Sequence, residues 1–273
     1  MTEPTVVDPP SAERHPHGRV RTAVVSDHIF HITVDRVEKR NALTPKIMAE
    51  LSDALTWLDT DPDLWVGVLS FAGDHTTAGL EMPLFFGPDA DRPDRGEDAV
   101  DPFGLGRRLG KPLITAVQGI TFTVGIEIAL ASDIIVAASD ARFCQLEPKR
   151  GLAAIGGATI RYVQRAGWGN AMYHLLRADE FDAPEAHRIG LVQEVTEPGT
   201  QVERAIELAT DMLECAPLAL VHMIANSRRL LDDGEAAAIA DIPAMSEATR
   251  ATEDFAEGIA SFVERRPAVF TGR

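Results

Sequence analysis

The stretch "TFTVGIEIALASDIIVAA", residues 121–138, places one carboxylate, Glu127, inside an apolar run well before its other acid, Asp133. "GIEIALAS" reads as a short helix with Glu127 in its first turn, and "DIIVAA" as a buried strand that follows it. Free N–H groups and the positive dipole end at a helix start favour negative charge there. A carboxylate among Ile, Val, Ala and Leu still loses hydration. It must be paired, carry a raised pKa, or serve a reaction that needs a desolvated acid. A buried Glu satisfied by a Lys, an Arg or an N–H group is the plain alternative.

Working outward, "RTAVVSDHIFHITVD" (21–35) gives two β-rich runs around a Ser-Asp-His turn, a hairpin pattern. Thr44 before Pro45 is a helix cap and first position, followed by Ile47, Leu51, Ala54, Leu55 and Leu58 at helical spacing. "WVGVLSFAG" (65–73) and "PLITAVQG" (112–119) read as short buried strands, and residues 83–111 as a mobile loop rich in Pro, Gly and Asp. Strands alternating with helices define an α/β chain. From Val202 onward the pattern turns helical: Val202, Ala205, Ile206, Ala209 and Leu213 share a face, Pro217 can open a helix, and Phe255, Ile259 and Phe262 form a further stripe. The expected organisation is a disordered lead-in over 1–20, a core over 21–201 and a helical region over 202–273, packed on its own core or on a partner subunit.

The chain has 273 residues, 45% hydrophobic and 25% charged, enough for a large packed core. Its formal charge of −16 disfavours nucleic acid and anionic membranes as partners. No apolar run reaches the ~20 residues of a bilayer span. The N-terminus lacks the apolar segment of a secretion signal. Two cysteines, Cys144 and Cys215, fit a reducing, cytoplasmic setting rather than a disulfide framework.

Other features carry less. His28 and His31 point to opposite faces if on a strand, which disfavours a shared metal. His15 and His17 fall in the lead-in. "GLAAIGG" (151–157) lacks the dinucleotide spacing and a Walker lysine, and reads as a turn before a helix holding Ile160 and Val163. No Ser or Cys has the setting of an activated nucleophile. Glu147, in "FCQLEPKRG", reads alone as a solvated loop acid, yet the strand between it and Glu127 lets the chain leave and return to face the first acid. "TTAGLEM" (76–82) contains a Gly that permits close backbone approach to a ligand; with N–H groups near Val124 and Gly125 it can form a two-donor oxyanion hole, or be an ordinary turn.

"RNALTPKIMAEL" (40–51), "TTAGLEM" (76–82) and "KPLITAVQGITFTVGIEIALASDIIVAASDARFCQLEPKRGL" (111–152) together resemble the crotonase superfamily, the enoyl-CoA hydratase and isomerase family. "TEDFAEGIASFVERRPAVFTG" (252–272) resembles its C-terminal helix and tail. The resemblance implies a ββα spiral core, a C-terminal helical region that builds homotrimers or hexamers, and acyl-CoA thioester substrates. It assigns the oxyanion-hole N–H groups to Leu80 and Val124, and the two acids of the family's hydratases to Glu127 and Glu147. Ala42, Ala78, Gly79, Glu81, Met82 and Gly125 are implied substrate contacts. Lys39, Arg40, Arg265 and Arg266 are the local cations nominated for the CoA phosphates, with solvated surface charge as their alternative.

Retention of both acids implies a lyase that hydrates a 2-enoyl-CoA with no metal and no cofactor beyond the substrate's own CoA. Glu147 is expected as the base for water and Glu127 as its water-orienting partner and proton relay, a division that coupled titration leaves open. The alternatives are a 3-enoyl-CoA isomerase, thioester hydrolysis or C–C cleavage, and a protein that binds acyl-CoA or a partner without catalysis. Two departures stand out. Val124 occupies a position where the family has Gly, and a β-branched residue resists positive φ. Leu80 is larger than the usual Ala or Gly.

Overall fold

A computed structural model describes residues 16–88, 90 and 96–273. The first elements among the described residues form an antiparallel hairpin, β1 (Arg19–Ser26) and β2 (Ile29–Asp35), two residues ahead of the expected start. Residues 1–15 of the expected lead-in lie outside the described residues, but Pro16 and His17 are tied down. Their carbonyls accept from Arg36 (Nη2, 2.8 Å) and from the Thr44 hydroxyl (2.7 Å). Thr44 also caps α1 (Pro45–Thr60), accepting from the N–H of Ile47 at 3.2 Å, while Pro45 supplies a φ suited to the first turn.

The main sheet has the order β1-β2-β3-β4-β6-β9, with β3 (Val66–Phe71), β4 (Leu113–Val117), β6 (Ile134–Ala138) and β9 (Glu194–Thr196) parallel to β2. A second sheet joins β5 (Ile120–Phe122), β7 (Arg142–Cys144) and β8 (Phe181–Asp182). Strand alternation divides the core. Phe30, Ile32 and Leu69 meet Ile47, Leu51 and Leu55 of α1, whereas Ile29, Val66, Val68 and Ile114 turn to the opposite face. There they meet Ala205 and Ala209 of α6 (Gln201–Met212). Both faces being covered explains why "VGVLSF" is buried at every position rather than at alternate ones.

Two helices bear on the site. α2 (Met82–Phe86) lies where a loop is expected, so the 83–111 segment begins with a turn of helix. α3 (Val124–Ala131) follows β5, and its apolar residues Ile126 and Leu130 pack with α4 (Ala158–Arg177) and α5 (Ala183–Arg188). α7 (Pro217–Asp233), opened by Pro217, α8 (Glu235–Arg250) and α9 (Glu253–Glu264) complete the C-terminal helical region. Phe255, Ile259 and Phe262 are exposed on α9. No single helix among the described residues is long and apolar enough to cross a membrane.

Candidate active site

A cavity of about 300 Å³ opens beyond the C-terminal end of β3, where Ala78, Gly79, Leu80, Met82 and Phe86 form one wall. Thr123, Val124 and Glu127 form a second wall, and residues from Leu146 to Ile155, including Glu147, a third. A larger cavity, about 620 Å³, lies against α7 and holds neither acid. Its arginines are largely engaged: Arg228 with Asp133, Arg108 with Asp232, and Arg165 with the Ser132 carbonyl. Both acids line the smaller cavity.

Two backbone donors, one on each of the first two walls, have no protein partner among the described residues. Leu43 bridges residues 79 and 81, its N–H donating to the Gly79 carbonyl and its carbonyl accepting from Glu81, both at 2.9 Å. The N–H of Leu80 therefore points away from that pairing and has no protein partner among the described residues. Gly79 turns the chain at φ +114, which its lack of a Cβ allows. The N–H of Val124, first residue of α3, is one of the groups a helix start leaves unpaired.

The expected difficulty at Val124 falls elsewhere. Val124 is helical and buried, its side chain in the core with Leu43 and Ile47, and the positive φ belongs to Thr123 (φ 50, ψ −117). Such a conformation costs a non-Gly residue roughly 1–3 kcal/mol. It is held by the Thr123 N–H donating to the Cys144 carbonyl (2.9 Å) and by its own carbonyl accepting from Ile126 and Glu127.

Glu127 is 1% exposed, in the first turn of α3. Its Oε1 accepts from the N–H of Gly156 (2.8 Å) and of Ala158 (3.2 Å). Burial raises its pKa; those two N–H groups and Arg161 oppose the rise. Two consecutive glycines make this packing possible. A Cβ on Gly156 would overlap Glu127 Oε2, and one on Gly157 would overlap Arg161 Nη1. Glu147 opens a turn of 3-10 helix, Glu147–Arg150, half-buried on the facing wall. With its side-chain amide turned so that the NH2 group faces Glu147, the orientation its neighbours require, buried Gln145 donates to both carboxylate oxygens at 2.9 and 3.1 Å. Burial first, and the charge of Glu127 after it, push Glu147 up to about 7. Two acids with separated environments can divide the roles of base and acid.

Of the residues nominated from sequence, the structure brings Ala78, Gly79, Leu80, Met82, Val124, Glu127 and Glu147 to the cavity. Gly125 sits behind it, where a Cβ would lie 2.5 Å from Thr77 Cγ2. Glu81 turns to an ion pair with buried Arg36 (2.5 Å), which also donates to the Ala42 carbonyl. Neither Glu81 nor Ala42 lines the cavity. Lys39 and Arg40 are exposed on a turn whose Arg40 carbonyl accepts from the Ala78 N–H. Arg265 and Arg266 are not brought to this cavity. They end α9, and the tail after them packs against Trp65, at the opposite end of β3. Arg266 is also engaged by Glu257 and Glu264. Thr123, Arg150, Ile155 and the Gly156 and Ala158 donors escape sequence reasoning; the paired glycines of "GLAAIGG" were the available signal, read there as a turn.

The enoyl-CoA hydratase/isomerase family model matches residues 25–273, and the chain belongs to that family. Among solved structures it resembles a probable enoyl-CoA hydratase/isomerase from Mycobacterium abscessus, with TM-score 0.89, 39% identity, and coverage of 93% of this chain and 98% of that one. A mevalonyl-coenzyme A hydratase of Aspergillus fumigatus is 32% identical over 270 residues, 94% of this chain and 96% of that protein. A crotonyl-CoA hydratase of Syntrophomonas wolfei is 31% identical over 245 residues, 88% and 93% of the two chains.

Proposed function

We propose that the protein is an enoyl-CoA hydratase that adds water across the 2,3 double bond of an enoyl thioester of coenzyme A. One observation carries this: two acids in different environments and two unpaired N–H groups share a single cavity. The thioester oxygen would accept from Leu80 and Val124. As water attacks the β-carbon, negative charge moves onto that oxygen, where loss of one preorganised donor typically costs roughly 3–4 kcal/mol.

Electrostatics favour a division opposite to the one expected from sequence. Glu127 has two N–H donors and Arg161 to support its charge; Glu147 has the Gln145 amide but no paired cation among the described residues, and burial together with the charge of Glu127 still pushes it up to about 7. Glu127 is therefore the base that takes a proton from water, and Glu147 the acid that gives one to the α-carbon. Hydroxide ends on the β-carbon, and proton transfer from Glu127 to Glu147 through the next water resets the pair. The addition is redox-neutral overall, so the cycle asks for no redox cofactor.

Lys39 and Arg40, on the turn bonded to Ala78, are the proposed phosphate contacts. The exposed Phe255, Ile259 and Phe262 stripe supports a homotrimer or hexamer, and a cytoplasmic setting belongs to the same proposal. Incubation with crotonyl-CoA in ¹⁸O-labelled water tests the reaction. A 3-hydroxyacyl-CoA carrying one ¹⁸O is expected; a shifted double bond alone, or free CoA, would sink the proposal.

A further inference from the structure

Thr123 takes no part in the chemistry above, yet three observations converge on it. Its backbone is strained in a region a β-branched residue rarely occupies. Its side chain does not cap α3, and its hydroxyl has no hydrogen-bond partner among the described residues. Finally, it lines the cavity with Oγ1 beside Gly79, where a Cβ would lie 2.7 Å from that oxygen. Gly79 directly precedes the donor Leu80, and Thr123 directly precedes the donor Val124. The hydroxyl is thus carried by the residue before one donor and lies against the residue before the other. Structure alone does not call for it: the bonds that hold this turn use only the Thr123 backbone, which Gly could supply without strain.

The geometry points to the Thr123 hydroxyl as a third hydrogen-bond donor to the thioester oxygen, acting beside the N–H groups of Leu80 and Val124. The inference rests on the hydratase reading for its substrate. A hydroxyl rotates to suit its acceptor, so it can donate most strongly as the oxygen gains charge. Strain held at a ligand-facing position is the pattern expected where a side chain is kept for function.

Acetoacetyl-CoA tests this without turnover, because the enolate of the bound ligand absorbs in the near ultraviolet and the pH at which it forms reports on the donors. Thr123→Ser should match the wild-type midpoint. Thr123→Val, which keeps the shape and loses the donor, and Thr123→Gly, which releases the strain, should both shift it to higher pH. With crotonyl-CoA, the same two variants should lose roughly ten- to hundredfold in kcat, with KM within about twofold. Thr123→Gly should melt no lower than wild type, so that its loss is not one of folding. If Thr123→Val is poorly folded, the Ser and Gly pair carries the comparison. An unchanged enolate midpoint in the donor-less variants overturns the third donor. A shifted midpoint in a protein that hydrates no enoyl-CoA would instead overturn the hydratase reading and leave the donor standing.

Discussion

The N–H of Gly156 donates to Glu127 Oε1 at 2.8 Å, and the same residue leaves the space that Glu127 Oε2 occupies. Gly156→Ala would force the carboxylate out of line with both of its N–H donors. Misplacing a catalytic group by about 1 Å can cost ~100-fold, so kcat should fall by that order with KM nearly unchanged. Steady-state kinetics with crotonyl-CoA check this; a kcat within threefold of wild type contradicts it.

Arg161 lies across Gly157 from the same carboxylate and favours its ionised form. Glu147 faces Glu127 from the Glu147–Arg150 turn, Arg150 lines the same cavity, and Tyr162, Asp101, Arg108 and Arg228 are further titratable or charged groups nearby. Arg161→Gln removes the supporting charge, so Glu127 should protonate more readily. The acidic limb of the kcat/KM profile should then move to higher pH, with activity at pH 8 less affected than at pH 6. A parallel drop at every pH would mark Arg161 as merely structural.

Glu147 gives a pH-dependent stability of defined sign. Its pKa is raised in the fold, from 4.5 to about 7, so the folded state holds a proton that the unfolded chain has released across that window. This contribution is present below about 4.5 and is lost as pH rises toward 7. Glu147→Gln stays neutral throughout. Its melting temperature should gain on wild type as pH rises through this window, and scanning calorimetry at several pH values reads the difference directly. A constant offset between the two proteins would refute it.

Asn41 ties the turn beside the cavity to the main sheet. It is 1% exposed; its amide donates to the carbonyls of Ala72 (2.8 Å) and His75 (2.7 Å), and its Oδ1 accepts from the Arg36 N–H (2.8 Å). Asn41→Ala leaves those groups unsatisfied and should destabilise the fold by roughly 2–4 kcal/mol, at about 1–3 kcal/mol per buried group with partial relaxation. Urea denaturation measures this. A loss under 1 kcal/mol would mean that water replaces the amide.

Local features were legible in the chain. The Thr44 cap, the Pro217 helix start and the buried strand "VGVLSF" each depend on neighbours in sequence, and each takes the expected form. Glu127 was legible as a candidate because it stands alone in an apolar run, whereas Glu147 read by itself as a solvated loop acid whose pairing the spacing permitted and the resemblance nominated. What escaped depends on chain segments that meet only in the fold. The Gly156-Gly157 pair separates an acid from a cation, yet in sequence it reads as a turn. Arg266 reads as a free cation until Glu257 and Glu264 are seen around it. The strain expected at Val124 sits one residue earlier because Val124 is already helical.

The central claim is that Glu127 and Glu147 act together in one hydration, Glu127 on the attacking water and Glu147 on the α-carbon. Hydration of crotonyl-CoA, followed by the loss of enoyl-thioester absorbance, should therefore be measured for Glu127→Gln, Glu147→Gln and wild type, with each variant's fold verified. General acid and base groups contribute roughly 10²–10⁴-fold, so each variant should fall by at least ~100-fold. If either folded variant retains wild-type hydration, or if wild type hydrates no 2-enoyl-CoA while shifting the double bond of a 3-enoyl-CoA, the two-acid account is wrong.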